Sequence, residues 1–187
     1  MELTLHKRST KTNGVNTKIR LEGGIPGVIY GWETPSETVY VPKAEVETLL
    51  RKVKKGHLST VLVTLKNDKE SFKALIKEIQ YHVTTYDVQH IDFLKVDDKK
   101  EVVVKVPLEF QGMEECVGIN MGGFFRTVIR SVKVKCLPQH IPSTFVVNIK
   151  DLNIMQSKKI TDLTIPSQVK VLDNPKQVMV IIAKTKG

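Results

Sequence analysis

KIRLEGGIPGVIYG (residues 18–31) sets two cations and a cluster of glycines and proline directly ahead of a short apolar run that closes on Tyr30. Gly23, Gly24, Pro26 and Gly27 have the chemistry of a turn, because glycine enters φ > 0 freely and proline holds φ at about −65°. GVIYG is β-branched and aromatic, the composition of a strand. By itself the stretch reads as a turn and a core strand capped by Tyr30. Taken with its cations, it predicts a turn whose bare glycines let Lys18 and Arg20 approach an anionic partner closely, and a strand that presents Tyr30 beside them.

The flanking segments extend the β pattern. Residues 38–41, 59–65, 71–80 and 88–93 are rich in β-branched and aromatic side chains, and LKNDKES (65–71) supplies a hairpin turn. One helix is expected over residues 42–56, where Val46, Leu49, Leu50 and Val53 recur at helical spacing, Pro42 suits the first turn and Gly56 the stop. Its basic tail complements the negative end of the helix dipole, so those charges have a structural explanation. The run VDDKKE (96–101) then breaks the chain, which divides it into domains 1–95 and 96–187. Beyond the break VVVKVPLEF, RSVKVKC, FVVNI, VKVL and QVMVIIA are short strands in an all-β domain. Pro107, Pro138, Pro142 and Pro166 are expected at strand ends and interruptions.

Composition narrows the function. The 187 residues carry 29 Lys and Arg against 20 Asp and Glu, a formal +9, which favours a polyanionic partner. Net charge does not choose the domain: residues 1–93 hold 14 basic and 11 acidic groups (+3) and residues 94–187 hold 15 and 9 (+6). Local density does choose. Lys7, Arg8, Lys11, Lys18 and Arg20 face Glu2 alone in the first twenty residues, interleaved with Asn13, Gly14, Asn16 and Thr17, small donors suited to phosphates and ribose hydroxyls. The N-terminus has no signal-like apolar run and no segment is long enough to span a bilayer, so the expectation is a cytoplasmic protein. Cys116 and Cys136 lie in apolar settings without CxxC spacing and read as reduced core thiols.

Enzyme signatures are absent. His6, His57, His82, His90 and His140 are scattered, with no metalloprotease, nucleophile-elbow, Walker or dinucleotide-binding motif, and no cofactor or metal is expected. QHIDF places His90 and Asp92 two apart, on one face of a strand, without a third ligand or nucleophile beside them.

The segment from Arg8 to Lys18 with its central NG, then RLEGGIPGVIYG, IKEIQYH and QHIDF, resembles bacterial large-subunit ribosomal protein twenty-five. The match is to the long, two-domain form known as the general stress protein CTC family. VKVPLEFQG, GINMGG, VKVKCLPQHIP, DLNI and TDLTIP follow in that family's order. The resemblance implies an N-terminal six-stranded β-barrel with flanking helices, similar to the anticodon-recognising barrel of glutaminyl-tRNA synthetase, followed by a C-terminal all-β domain. It implies 5S ribosomal RNA as partner, met in a widened minor groove by Arg8, Arg20, Tyr30, His90 and Asp92. Lys11, Asn16, Lys18 and His82 complete the expected contact set. Other large-subunit proteins are the remaining partners of a chain expected to act as a monomer within the ribosome. Tyr81 and Val83 stand where the family has a basic residue and a proline, and GMEECVG replaces a run of small residues. A stress-related protein binder and a tRNA-binding accessory protein remain open as alternatives.

Overall fold

The computed structural model describes residues 2–8, 14–31, 35–67 and 70–184, in two compact units, Met1–Lys100 and Glu101–Gly187. The first unit runs β1 (Glu2–Thr4), β2 (His6–Lys7), α1 (Val15–Leu21), β3 (Gly24–Tyr30), β4 (Glu37–Pro42), α2 (Lys43–Lys52), β5 (Leu62–Lys66), β6 (Ser71–Tyr81) and β7 (Val88–Lys95). Its strands form one sheet in the order β1-β5-β6-β7-β3-β4-β2. Only Leu5 separates β1 from β2. The two ends of the sheet are therefore one extended segment, paired to β5 through residues 2–4 and to β4 through residues 6–7, and the sheet closes as a barrel of six chain segments. Closure removes the exposed edges of an open sheet.

Period-two burial fills the barrel. Leu3, Leu5, Ile25, Ile29, Val39, Val41, Val63, Leu65, Ala74, Ile76, Ile91 and Phe93 form its core, joined by Val46 and Leu49 of α2. α2 ends at Lys52, four residues before Gly56: Val53 is already extended and packs on the core from outside the helix. The segment expected as a strand over 59–65 opens instead with a 3-10 turn, Leu58–Thr60, and only then becomes β5.

The reading of GGIPG as a turn is corrected. KIRL belongs to α1, which ends at Leu21 and is followed by Gly23 at φ +79, and Gly24–Tyr30 is continuous strand containing Pro26 and Gly27. The glycines serve close packing. A Cβ on Gly24 would sit 2.7 Å from Ile19 Cγ2 of α1, and one on Gly27 would sit 2.6 Å from the Ile91 carbonyl of β7. Pro26 stands opposite Tyr40 of β4, and pairing with β7 begins one residue later, at Gly27, so its missing N–H deprives the β7 ladder of nothing.

The second unit contains β8 (Val102–Gln111), the one-turn α3 (Val117–Asn120), β9 (Gly123–Thr127), β10 (Ser131–Cys136), β11 (Phe145–Asn148), β12 (Ser157–Lys159), β13 (Lys170–Val171) and β14 (Val178–Lys184). They make a four-stranded sheet, β11-β8-β10-β13, and a three-stranded one, β12-β14-β9. The sequence reading misses β9, β12 and α3, since GFFRT and SKK are too short or too polar to show a period. Pro107 lies within β8 where partnership passes from β10 to β11, an interruption of the kind expected. Cys116 and Cys136 are buried free thiols, and burial pushes the Cys136 thiol up, aided by the Glu101 carboxylate.

Candidate nucleic-acid interface

β7 builds the site. Ile91 and Phe93 enter the core, so alternation turns His90 and Asp92 to the outer face of the barrel. Their neighbours follow from register: Asp92 lies opposite Glu78 of β6 and Val28 of β3, and His90 opposite Gln80. The β6–β7 ladder shifts on both sides of this stretch, from Ile76↔Phe93 to Glu78↔Asp92 and from Gln80↔His90 to Tyr81↔Val88. Lys77 and Gln89 are thus bulged out of register. Two bulges bracketing three rungs bend and re-aim that patch of sheet.

His90 Nδ1 is 2.8 Å from Asp92 Oδ1 but off the alignment of a hydrogen bond, and it is buried without another partner. Tyr30 sits on neighbouring β3. Burial, then the carboxylates of Asp92 and Glu78, push its phenol up, which keeps the hydroxyl protonated and able to donate.

The arginines arrive from two other elements. Arg8 extends the pairing beyond β2: its N–H donates to the Thr38 carbonyl (3.2 Å), and Thr38 Oγ1 donates to the Arg8 carbonyl (3.1 Å). Its Nη1 donates to Asn16 Oδ1 on α1, while Nε is buried and unpartnered. Arg20, also on α1, donates from Nη2 (3.2 Å) and Nε (3.4 Å) to the carbonyl of Gln89, the residue the bulge has freed. Burial, and after it the charge of Arg20, pull the Arg8 guanidinium down from its ordinary value. Two cations therefore face the same space, and among the described residues neither has a carboxylate partner.

Arg8, Asn16, Arg20, Tyr30, His90 and Asp92 are thus brought onto one side of the barrel by β2, α1, β3 and β7. Lys18 stands apart, an exposed helical side chain 3.9 Å from Glu22. Lys11 lies outside the described residues. His82 lies at the β6–β7 turn, where its Nδ1 accepts from the backbone N–H groups of Thr84 (3.3 Å) and Thr85 (3.2 Å). Tyr81, Val83 and Tyr86 are exposed at that turn, and Lys43 pairs with Asp87 at its base (2.7 Å). Sequence reasoning passed over Glu78, Gln80 and Gln89. Alternation along IKEIQYH could have found the first two; the bulge that frees the Gln89 carbonyl leaves no local signal.

A family model described as the Ribosomal L25p family matches residues 3–93, and a second, described as Ribosomal protein TL5, C-terminal domain, matches residues 101–186. The chain belongs to the ribosomal L25p family. The L25p match falls within the barrel unit and the TL5 match within the second unit. This L25p chain is 35% identical over 184 residues to the large ribosomal subunit protein bL25 of Chlamydia trachomatis serovar A, covering 98% of this chain and 100% of the relative. The bL25 proteins of Chlamydia muridarum and Chlamydia pneumoniae are 35% and 31% identical over the same span. As an L25p member the chain is a structural ribosomal protein and not an enzyme.

Proposed function

We propose that this chain, as a constituent of the large ribosomal subunit in the bacterial cytoplasm, binds 5S ribosomal RNA as a single copy through the outer face of its N-terminal barrel. The observation that carries the reading is the bulge-bracketed patch of β6 and β7. It sets the polar pair His90–Asp92 beside the Tyr30 hydroxyl and two guanidiniums that, among the described residues, have no carboxylate of their own. Arg8 and Arg20 supply forked donors for phosphates or base edges. Asp92, His90 and Tyr30 supply the acceptor and donors that a minor groove lined with 2′-hydroxyls needs. The unsatisfied Arg8 Nε and His90 Nδ1 gain partners by small side-chain rotations toward RNA.

The test separates reading from mere attraction. Asp92 repels phosphates, so its contribution is to selectivity. Asp92→Ala should lower the preference for 5S RNA over an unrelated RNA duplex about tenfold, the weight of one hydrogen bond to a charged group. The slope of log K against log salt should hardly change, because that slope counts phosphate contacts. Titration of both RNAs at two salt concentrations measures both quantities. A variant that binds both RNAs more tightly, together with a wild type that shows no preference at the higher salt, would mean the barrel is a nonspecific cation surface.

A further inference from the structure

The second unit carries a sheet face whose charges oppose one another. Val104 and Val106 of β8 and Val132, Val134 and Cys136 of β10 are buried, so the residues between them, Lys105, Lys133 and Lys135, turn outward. β13 adds Lys170. Register sets Lys105 directly opposite Lys133, and Lys135 directly opposite Lys170. Side chains so placed have Cβ atoms about 4.5–5.5 Å apart, and like charges at that spacing destabilise a sheet.

Two carboxylates lie close by. Glu101 takes Lys135 at 2.6 Å; that hydrogen bond and charge, and less strongly the charge of Lys170, hold its carboxyl below the ordinary range. Asp173 accepts the backbone N–H of Lys133 at 2.7 Å. Among the described residues, Lys105, Lys133 and Lys170 have no carboxylate within ion-pair distance. A sheet selected for its own stability would place an acid at one position of each pair. Glu101 offsets part of the repulsion at Lys135 and Lys170, whereas the Lys105–Lys133 pair has no such acid, and an external polyanion lying across the face would relieve it.

We infer that the outer face of β8, β10 and β13 is a second RNA-contacting surface, on which Lys105, Lys133, Lys135 and Lys170 take the phosphate backbone of ribosomal RNA without reading its sequence. Lysine is a compact point charge with no acceptor, and the residues of this face offer no aromatic ring for a base to stack on, so phosphates are its target. The inference rests on ribosomal membership and is separate from the 5S reading of the barrel.

The full-length protein and an unrelated RNA duplex of about 20 base pairs make the test, with salt varied over roughly 50 to 200 mM. In Lys105→Gln/Lys133→Gln the slope of log K against log salt should fall by about 0.7 to 0.9 for each lysine that contacts a phosphate. The preference for 5S RNA over that duplex should stay within about twofold of wild type, since phosphate contacts carry no sequence information. Lys133→Glu, which sets an acid opposite Lys105, should lower the slope in the same way while raising the melting temperature of the free protein. An unchanged slope overturns the inference. So does a lower melting temperature in both variants, which would show that the lysines serve the fold, or lysine-dependent binding to phosphatidylserine vesicles with none to the duplex. Loss of 5S preference in the wild type itself would remove the barrel reading and leave this one standing.

Discussion

Phe93→Ala should destabilise the N-terminal unit by about 3–5 kcal/mol, the largest effect expected of any single side-chain truncation in this protein. Phe93 is fully buried in β7, the strand held between β6 and β3, where it lies opposite Ile76 on one side and Ile29 on the other. Its ring also closes on Gly27, with Cε2 3.5 Å from the position a Cβ there would take. The site cannot collapse to fill the space, because Gly27 has no side chain to move in and the strands are fixed by ladders on both sides. Hydrogen exchange of the β7 amides along a denaturant series reads the loss in this unit alone. Leu21→Ala is the control: Leu21 is 84% exposed and its truncation should stay within about 0.5 kcal/mol. Equal effects at the two positions would contradict a barrel packed around Phe93. The same substitution bears on function, since Asp92 is its neighbour and a loosened β7 no longer holds the outward pair in place.

Arg8→Ala and Arg20→Ala should each weaken 5S RNA binding by about 1–3 kcal/mol while leaving the barrel folded, because each removes charge-assisted donors and little core. Their effects should not add. Arg8 is held by Asn16 and Arg20 by the Gln89 carbonyl, and their charges act on each other, so the double variant reports a coupled pair. Lys52→Ala and Lys55→Ala, on and just beyond the tail of α2, should cost much less, as their charges complement the helix end. Gel-shift titrations of the four single variants compare them directly. Equal losses at all four would show affinity spread over diffuse charge, with no focused site between α1 and β7.

Legibility followed the range of the forces involved. QHIDF could be read because a strand with one buried face writes its alternation into adjacent residues: Ile91 and Phe93 go in, and His90 and Asp92 go out whatever else the chain does. α2 was legible for the same local reason, through Val46 and Leu49 at helical spacing. Its end was not: whether Val53 continues a helix or turns to meet the core depends on the barrel beneath it. Barrel closure was expected only through family resemblance, since nothing in ELTLHK says that residues on either side of Leu5 will pair with strands at opposite ends of the sheet.

GGIPG shows the boundary most clearly. Glycine and proline announce that the backbone there is unusual, and order along the chain carries that much. Whether the cause is a turn or a close approach depends on what lies against the missing Cβ atoms. Ile19 comes from a helix a few residues back and the Ile91 carbonyl from a strand more than sixty residues ahead, so the answer exists only once the chain has folded. His82 is the converse case. Its type and place suggest an RNA contact, while the two backbone amides that the β6–β7 turn brings to its Nδ1, which give it a part in the fold as well, leave no signal in its type or spacing. Residue order alone settled which side chains go in and which come out along each strand, because burial alternates locally. Which of the outward side chains stand together, and which are already spent on the fold, was decided by contacts between distant segments, which pattern along the chain does not encode.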